Sequence, residues 1–133
     1  MHALVLIVDV DPERLERVRR LIERDGAVVV TATDSREAMH LFVRRAPHVT
    51  VLHVDPSHEI GLGLCRDIKT LKTGRGRAVV VVAPRKSRPA AFDSGCDAFI
   101  IQQADSLSLR RTVHRLLAAA RKPSPDLGVE LIA

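Results

Sequence analysis

The sequence predicts an α/β domain, a doubly wound five-stranded parallel sheet with helices on both faces. Two observations carry this. Five apolar runs rich in β-branched residues alternate with amphipathic stretches, in (βα)₅ order. Several of those runs are apolar at consecutive rather than alternating positions, as expected for parallel strands covered on both sides. Right-handed crossovers then give the strand order 2-1-3-4-5.

The strands are expected at Ala3–Val8, Ala27–Thr31, Val49–Val54, Ala78–Ala83 and Ala98–Ile101. The first helix follows Asp11-Pro12, an N-cap acid and a proline at the first helical position. Its apolar stripe is Leu15, Val18, Leu21 and Ile22, and Gly26 suits the residue just past its end. The second helix begins at Asp34-Ser-Arg-Glu37, which resembles a capping box, carries Ala38, Leu41 and Phe42 inward, and stops before Pro47. A third runs from about Gly63 to Leu71, with Leu64, Ile68 and Leu71 inward, and Thr73–Arg77 forms a turn. The last helix follows Asp105-Ser106, turns Leu109, Val113, Leu116 and Leu117 to one face, and ends at Pro123 and Pro125.

The chain has 133 residues, enough for one domain that buries roughly two-thirds of its unfolded surface without metals or disulfides. Residues 1–122 are assigned to that domain. Residues 123–133 form a Pro-containing tail, read as a frayed end or as a stub that docks on a partner. Cys65 and Cys96 stand in no metal or redox spacing, which is expected of buried small hydrophobes in a reduced, cytoplasmic protein. The N-terminal apolar run lacks a basic flank and is too short for a signal peptide or a membrane span.

Twenty-one basic residues against 16 acids give a net charge of +5. That balance permits nucleic-acid binding, but with no Trp, no Tyr and three Phe a base-stacking platform is disfavoured. Arg14, Arg17, Arg20 and Arg24 are expected along the outer face of the first helix, either solvated or offered to an acidic partner. No Gly-rich phosphate loop, nucleophile elbow or metal-ligand cluster supports an enzyme.

The stretch His48-Val-Thr-Val-Leu-His53-Val-Asp-Pro-Ser-His-Glu-Ile-Gly61-Leu-Gly-Leu-Cys-Arg-Asp-Ile-Lys69 resembles the middle of a response-regulator receiver domain. Pro47, Gly61, Ala83 and the segment Gly95-Cys-Asp97 keep that family's order and spacing across roughly residues 3–121. The resemblance implies a CheY-like fold and a phosphorylation pocket at the carboxyl ends of the strands. It also implies that the pocket is degenerate. Asp9 matches the first of two adjacent Mg²⁺-binding acids, but Val10 takes the place of the second, with Asp11 beyond it. His53 stands where the phosphoacceptor aspartate belongs. Ala83 replaces the hydroxyl residue after strand 4, and Gln102-Gln103 replace Lys-Pro after strand 5. Losing these groups together removes the metal, the nucleophile and the charge that phosphoryl transfer needs, so no Mg²⁺ or other cofactor is expected.

The expected function is that of a pseudo-receiver in two-component-type signalling, binding a protein partner without phosphorylation, as an adaptor or by dimerising. One alternative makes Asp55 a displaced phosphoacceptor, since alternation puts it on the same side as His53. A basic nucleic-acid-binding module is another. His53 could instead bind a metal with Asp9, Asp11, Asp55 or His58, or as a cation could neutralise Asp9 and Asp11 and respond to pH. Phe99 matches the family's switch aromatic, and is expected either to sit permanently inward or to serve as an ordinary core phenylalanine. The segment between Ala83 and Gly95 is shorter than is typical, so the fourth helix is expected to be brief, over Ala90–Ser94.

Overall fold

The computed structural model describes residues 3–54, 60–103 and 105–121. Asp55, His58 and the tail 123–133 lie outside the described residues. Strands β1 (Leu4–Val8), β2 (Val28–Ala32), β3 (Val49–His53), β4 (Ala78–Ala83) and β5 (Ala98–Ile101) form one parallel sheet in the order β2-β1-β3-β4-β5, as expected. Helices α1 (Pro12–Glu23), α2 (Ser35–Arg45), α3 (Leu62–Thr70), α4 (Arg88–Asp93) and α5 (Ser106–Arg121) cover it.

Strand pleating divides the apolar residues between two layers. Leu6, Val8, Leu52 and Val81 pack with Phe42 of α2, Ile68 of α3 and Ala91 of α4. Val5, Ile7, Val51 and Val80 pack on the other side with Leu15, Val18 and Ile22 of α1 and with Leu109 and Val113 of α5. β1 and β3 are buried along their whole length; β1 is accordingly apolar without a break, while β3 carries the buried polar residues Thr50 and His53 among its apolar ones. The equally apolar β2 is half-exposed because it is an edge strand. Phe42 is fully buried, and truncating such a side chain to alanine costs about 3–5 kcal/mol.

The caps explain the helix boundaries. Asp11 Oδ1 accepts the N–H groups of Glu13 at 3.0 Å and Arg14 at 3.3 Å, with Pro12 at the first helical position. Asp34 Oδ1 accepts the Glu37 N–H at 2.7 Å. α2 ends in Ala46, a left-handed alanine with φ of 47°, whose N–H donates to Phe42 O and whose carbonyl accepts from Arg77 Nη1 at 2.6 Å. α3 gives way to a short 3₁₀ turn, Lys72–Gly74, where a Cβ on Gly74 would stand 2.2 Å from the Ile68 carbonyl oxygen. α4 starts two residues earlier than the sequence suggests because a 3₁₀ turn, Arg85–Ser87, feeds Pro89 into its first turn.

Both cysteines are buried among these apolar side chains, and burial pushes their thiols up, that of Cys96 to about 11. Their assignment to the core is borne out. At the amino ends of the strands, Asp97 Oδ2 accepts the Val79 N–H at 2.7 Å and Lys69 Nζ at 2.9 Å. Gly95 precedes it with φ of 98°, packed where a Cβ would press on the Lys69 side chain at 3.2 Å.

Candidate functional site

In a sheet of this kind ligands meet the carboxyl ends of the central strands. Asp9 stands there, directly after β1, with no solvent exposure. A buried carboxylate needs partners for its oxygens. Asp9 finds them at the start of the helix that follows it: Arg14 Nε donates to Oδ2 at 2.6 Å, Arg14 Nη2 to Oδ1 at 2.7 Å, and the Asp11 N–H to Oδ1 at 3.0 Å. The guanidinium grips the carboxylate in the two-point fork that arginine favours. Side chains on a helix lean toward its N-terminus, so an arginine in the first turn of α1 reaches back over β1.

Arg14 therefore does not belong with the outward-facing arginines. Its spacing carries the signal, since Arg14, Val18 and Ile22 follow one another at i,i+4 on a single face. The other arginines of α1 behave as a solvated face does. Arg19 forks onto Glu16 and also reaches Glu23, and Arg20 reaches Glu16 at 3.3 Å.

His53 ends β3 with its ring 3.5 Å from Asp9, measured from Nδ1 to Oδ2, and is 7% exposed. That separation and alignment make no hydrogen bond, and Nδ1 has no hydrogen-bond partner among the described residues. Burial, above all, pushes the imidazole below its ordinary pKa. Asp9 and Asp11 pull the other way, and the Arg14 charge reinforces burial. Burial thus favours the uncharged ring. This corrects the expectation that a cationic His53 neutralises the acids, because the cation on Asp9 is Arg14. Asp11 is likewise not turned to the site. Its carboxylate caps α1, held below its ordinary pKa first by the Arg14 N–H, with help from the Glu13 N–H and the charges of Arg14 and Arg17.

The remaining positions fall where the spacing put them. Val10 is half-buried and packs on the layer of α2, α3 and α4. Ala83 is buried at the end of β4, and its carbonyl accepts the Gln102 N–H at 2.9 Å. Gln102 is half-buried and Gln103 exposed. Phe99 is half-buried rather than fully inward. Its ring lies 6.5 Å from that of the exposed Phe92 on α4, and the Arg88 guanidinium sits 5.8 Å from the Phe92 ring. The Asp55 alternative falls outside the described residues.

Mg²⁺ asks for several oxygen ligands in near-octahedral geometry. Among the described residues Asp9 is the carboxylate placed to meet one, and both its oxygens accept from Arg14. No group of three or more His, Cys, Asp or Glu among them is arranged to hold a metal ion. Beside His53, between α1 and α5, lies an open crevice of about 340 Å³. No helix among the described residues is long and apolar enough to cross a membrane.

Comparison with known proteins agrees with this architecture. The family described as "Response regulator receiver domain" matches residues 5–114. The response regulator MprA of Mycolicibacterium vanbaalenii is 31% identical over 96% of this chain and 54% of its own length. An uncharacterized 14.6 kDa protein of Leptolyngbya boryana is 30% identical over 86% of this chain and 90% of its own length. The chain thus spans about half the length of the MprA relatives it matches. Among solved structures, the receiver domain of a signal transduction histidine kinase from Syntrophus aciditrophicus superposes with a TM-score of 0.82 at 23% identity, covering 92% of this chain and 96% of that one. The chemotaxis response regulator CheY4 of Vibrio cholerae superposes with a TM-score of 0.79 at 18% identity, covering 87% and 99%.

Proposed function

The chain belongs to the response-regulator receiver family, and we propose that within it this protein is a pseudo-receiver, a cytoplasmic signalling module that engages a protein partner without being phosphorylated. The observation that carries this is the Arg14 fork on Asp9 with a buried imidazole beside it. A phosphoacceptor must be a carboxylate nucleophile near a cation that offsets charge on the transferring group. At the place of the nucleophile the chain has the buried imidazole of His53, and at the place of the metal it has its own guanidinium. Ala83 and Gln102 supply neither a hydroxyl nor an ammonium to the incoming oxygens. In this reading the protein binds no Mg²⁺ and is not an enzyme.

A permanently paired Asp9 holds the carboxyl end of the sheet in one state, so the module offers its partner a constant surface. The ion-paired arginines of α1 favour a solvated face over a nucleic-acid footprint.

The test is an amide NMR titration with Mg²⁺, followed by Mg²⁺ with beryllofluoride as a phosphoryl mimic. The expected result is no saturable shift at Asp9, His53 or Gln102. Saturable shifts at those amides would refute the reading. Their loss in Asp55→Asn would then identify Asp55 as a displaced phosphoacceptor.

A further inference from the structure

We propose that the crevice between α1 and α5 is a binding site for a small organic anion with an apolar body, of the aromatic or branched-chain carboxylate class. This goes beyond the pseudo-receiver reading and does not depend on it, since it uses Arg17 and the apolar lining of the crevice rather than the Asp9 carboxylate that a metal would use.

The volume, about 340 Å³, falls within the roughly 300–1,000 Å³ of sites that take small ligands. The position is right as well, since β3, β4 and β5 deliver His53, Val82 and Ile100 to it at their carboxyl ends. Its floor is apolar, made by Val18 and Leu21 of α1, Ile100 of β5 and Leu109 of α5. Polar residues also line it, among them Arg17, Gln102 and Ser106. The His53 ring belongs to the wall and is more than nine-tenths buried, with its Nδ1 on the Asp9 side, 3.5 Å from Oδ2.

The charges around the crevice select an anion. Arg14 is bound to Asp9. Asp105, the one acid in the lining, accepts the Ser108 N–H at 3.0 Å and the Ser108 hydroxyl at 3.1 Å with the same oxygen and so caps α5. Arg17 is exposed and forms no ion pair among the described residues. A carboxylate laid against it gains the two-point fork, and the positive end of the 16-residue helix α5 lies alongside. The apolar body then rests on Leu21, Ile100 and Leu109.

The probe is 2-naphthoate, with the uncharged 2-naphthamide as its control. The chain has no Trp or Tyr to compete with naphthyl fluorescence, so anisotropy reports binding directly and amide NMR locates it. Saturable 2-naphthoate binding is expected, with shifts at His53, Ile100, Gln102 and Leu109. Arg17→Ala should weaken the acid about tenfold or more, as expected for a lost charge-assisted pair, and leave the amide unchanged. Leu21→Phe, which fills the floor without adding a competing fluorophore, should weaken both. The proposal is overturned if naphthoate fails to saturate up to its solubility, if the two probes bind alike, or if the shifts map elsewhere on the fold. Arg17 is a surface residue, so its variant remains decisive even if Leu21→Phe does not fold.

Discussion

The two ends of the sheet handle buried polarity differently. At the amino ends of the strands, most of the polar side chains hold a neighbouring group in place, and the buried Thr50 hydroxyl of β3 is the exception, with no partner among the described residues. Asp97 binds the Val79 N–H and Lys69, His48 Nδ1 accepts the Leu4 N–H at 3.0 Å, and Arg77 clamps the Ala46 carbonyl. At the carboxyl ends, a buried carboxylate is held by a guanidinium from the helix that follows it, an imidazole nitrogen has no partner among the described residues, and an open crevice lies alongside. The first arrangement serves the fold alone. The second keeps a costly polar cluster where a wholly apolar one would pack as well, which is how a site differs from a scaffold.

That contrast can be broken from either side. Arg14→Ala is expected to do most damage, since it leaves the Asp9 carboxylate buried and uncompensated. A loss of about 3–5 kcal/mol is expected in urea unfolding, with much of it recovered in the double variant Asp9→Ala/Arg14→Ala. If the single variant costs nothing, the pair is not what secures this end. Asp97→Ala should cost less, about 1–2 kcal/mol, because it strands one backbone N–H while its partly exposed pair with Lys69 adds little. A value equal to that of Arg14→Ala would erase the difference between the ends.

The smallest effect is expected at His53. His53→Leu removes a poorly satisfied polar group of similar size and should change stability at pH 7 by no more than about 1 kcal/mol in either direction. Its signature is in pH. The folded pKa lies below the ordinary 6.5, so as pH falls through that value the unfolded chain binds the proton first and stability drops. His53 thus contributes stability that is complete above about pH 6.5 and is lost below it. Urea midpoints measured downward from pH 7 should fall less steeply in His53→Leu than in the parent. Parallel slopes would show that the imidazole titrates as it does in the unfolded chain.

Much of the molecule is legible in its sequence for identifiable reasons. Unbroken apolar runs mark β1 and β4, a largely apolar run marks β3, and Asp11-Pro12, Asp34 and Gly61 mark where helices begin. What periodicity cannot convey is neighbourhood. Val28-Val29-Val30 looks as buried as β4 in the sequence, yet β2 has a partner on one side only. Likewise the site's positions are legible from the spacing around His53, but its cation is not. Arg14 sits in line with Val18 and Ile22, and a charge on a helix is assigned to solvent unless a buried acid within reach is already known. Phe99 illustrates the same limit, for its burial depends on the short α4 and on Phe92, which spacing alone does not place.

The Arg14–Asp9 fork also fixes a quantity that other cation–carboxylate sites leave to their surroundings. The two residues are five apart in the chain, so the cation's effective concentration at the carboxylate is a property of the covalent structure, on the order of millimolar or more for so short a tether. Dilution does not lower it and chelators do not reach it. A diffusible cation arriving at Asp9 must displace a tethered one at every ionic composition, and the Arg14 pairing itself is independent of protein concentration.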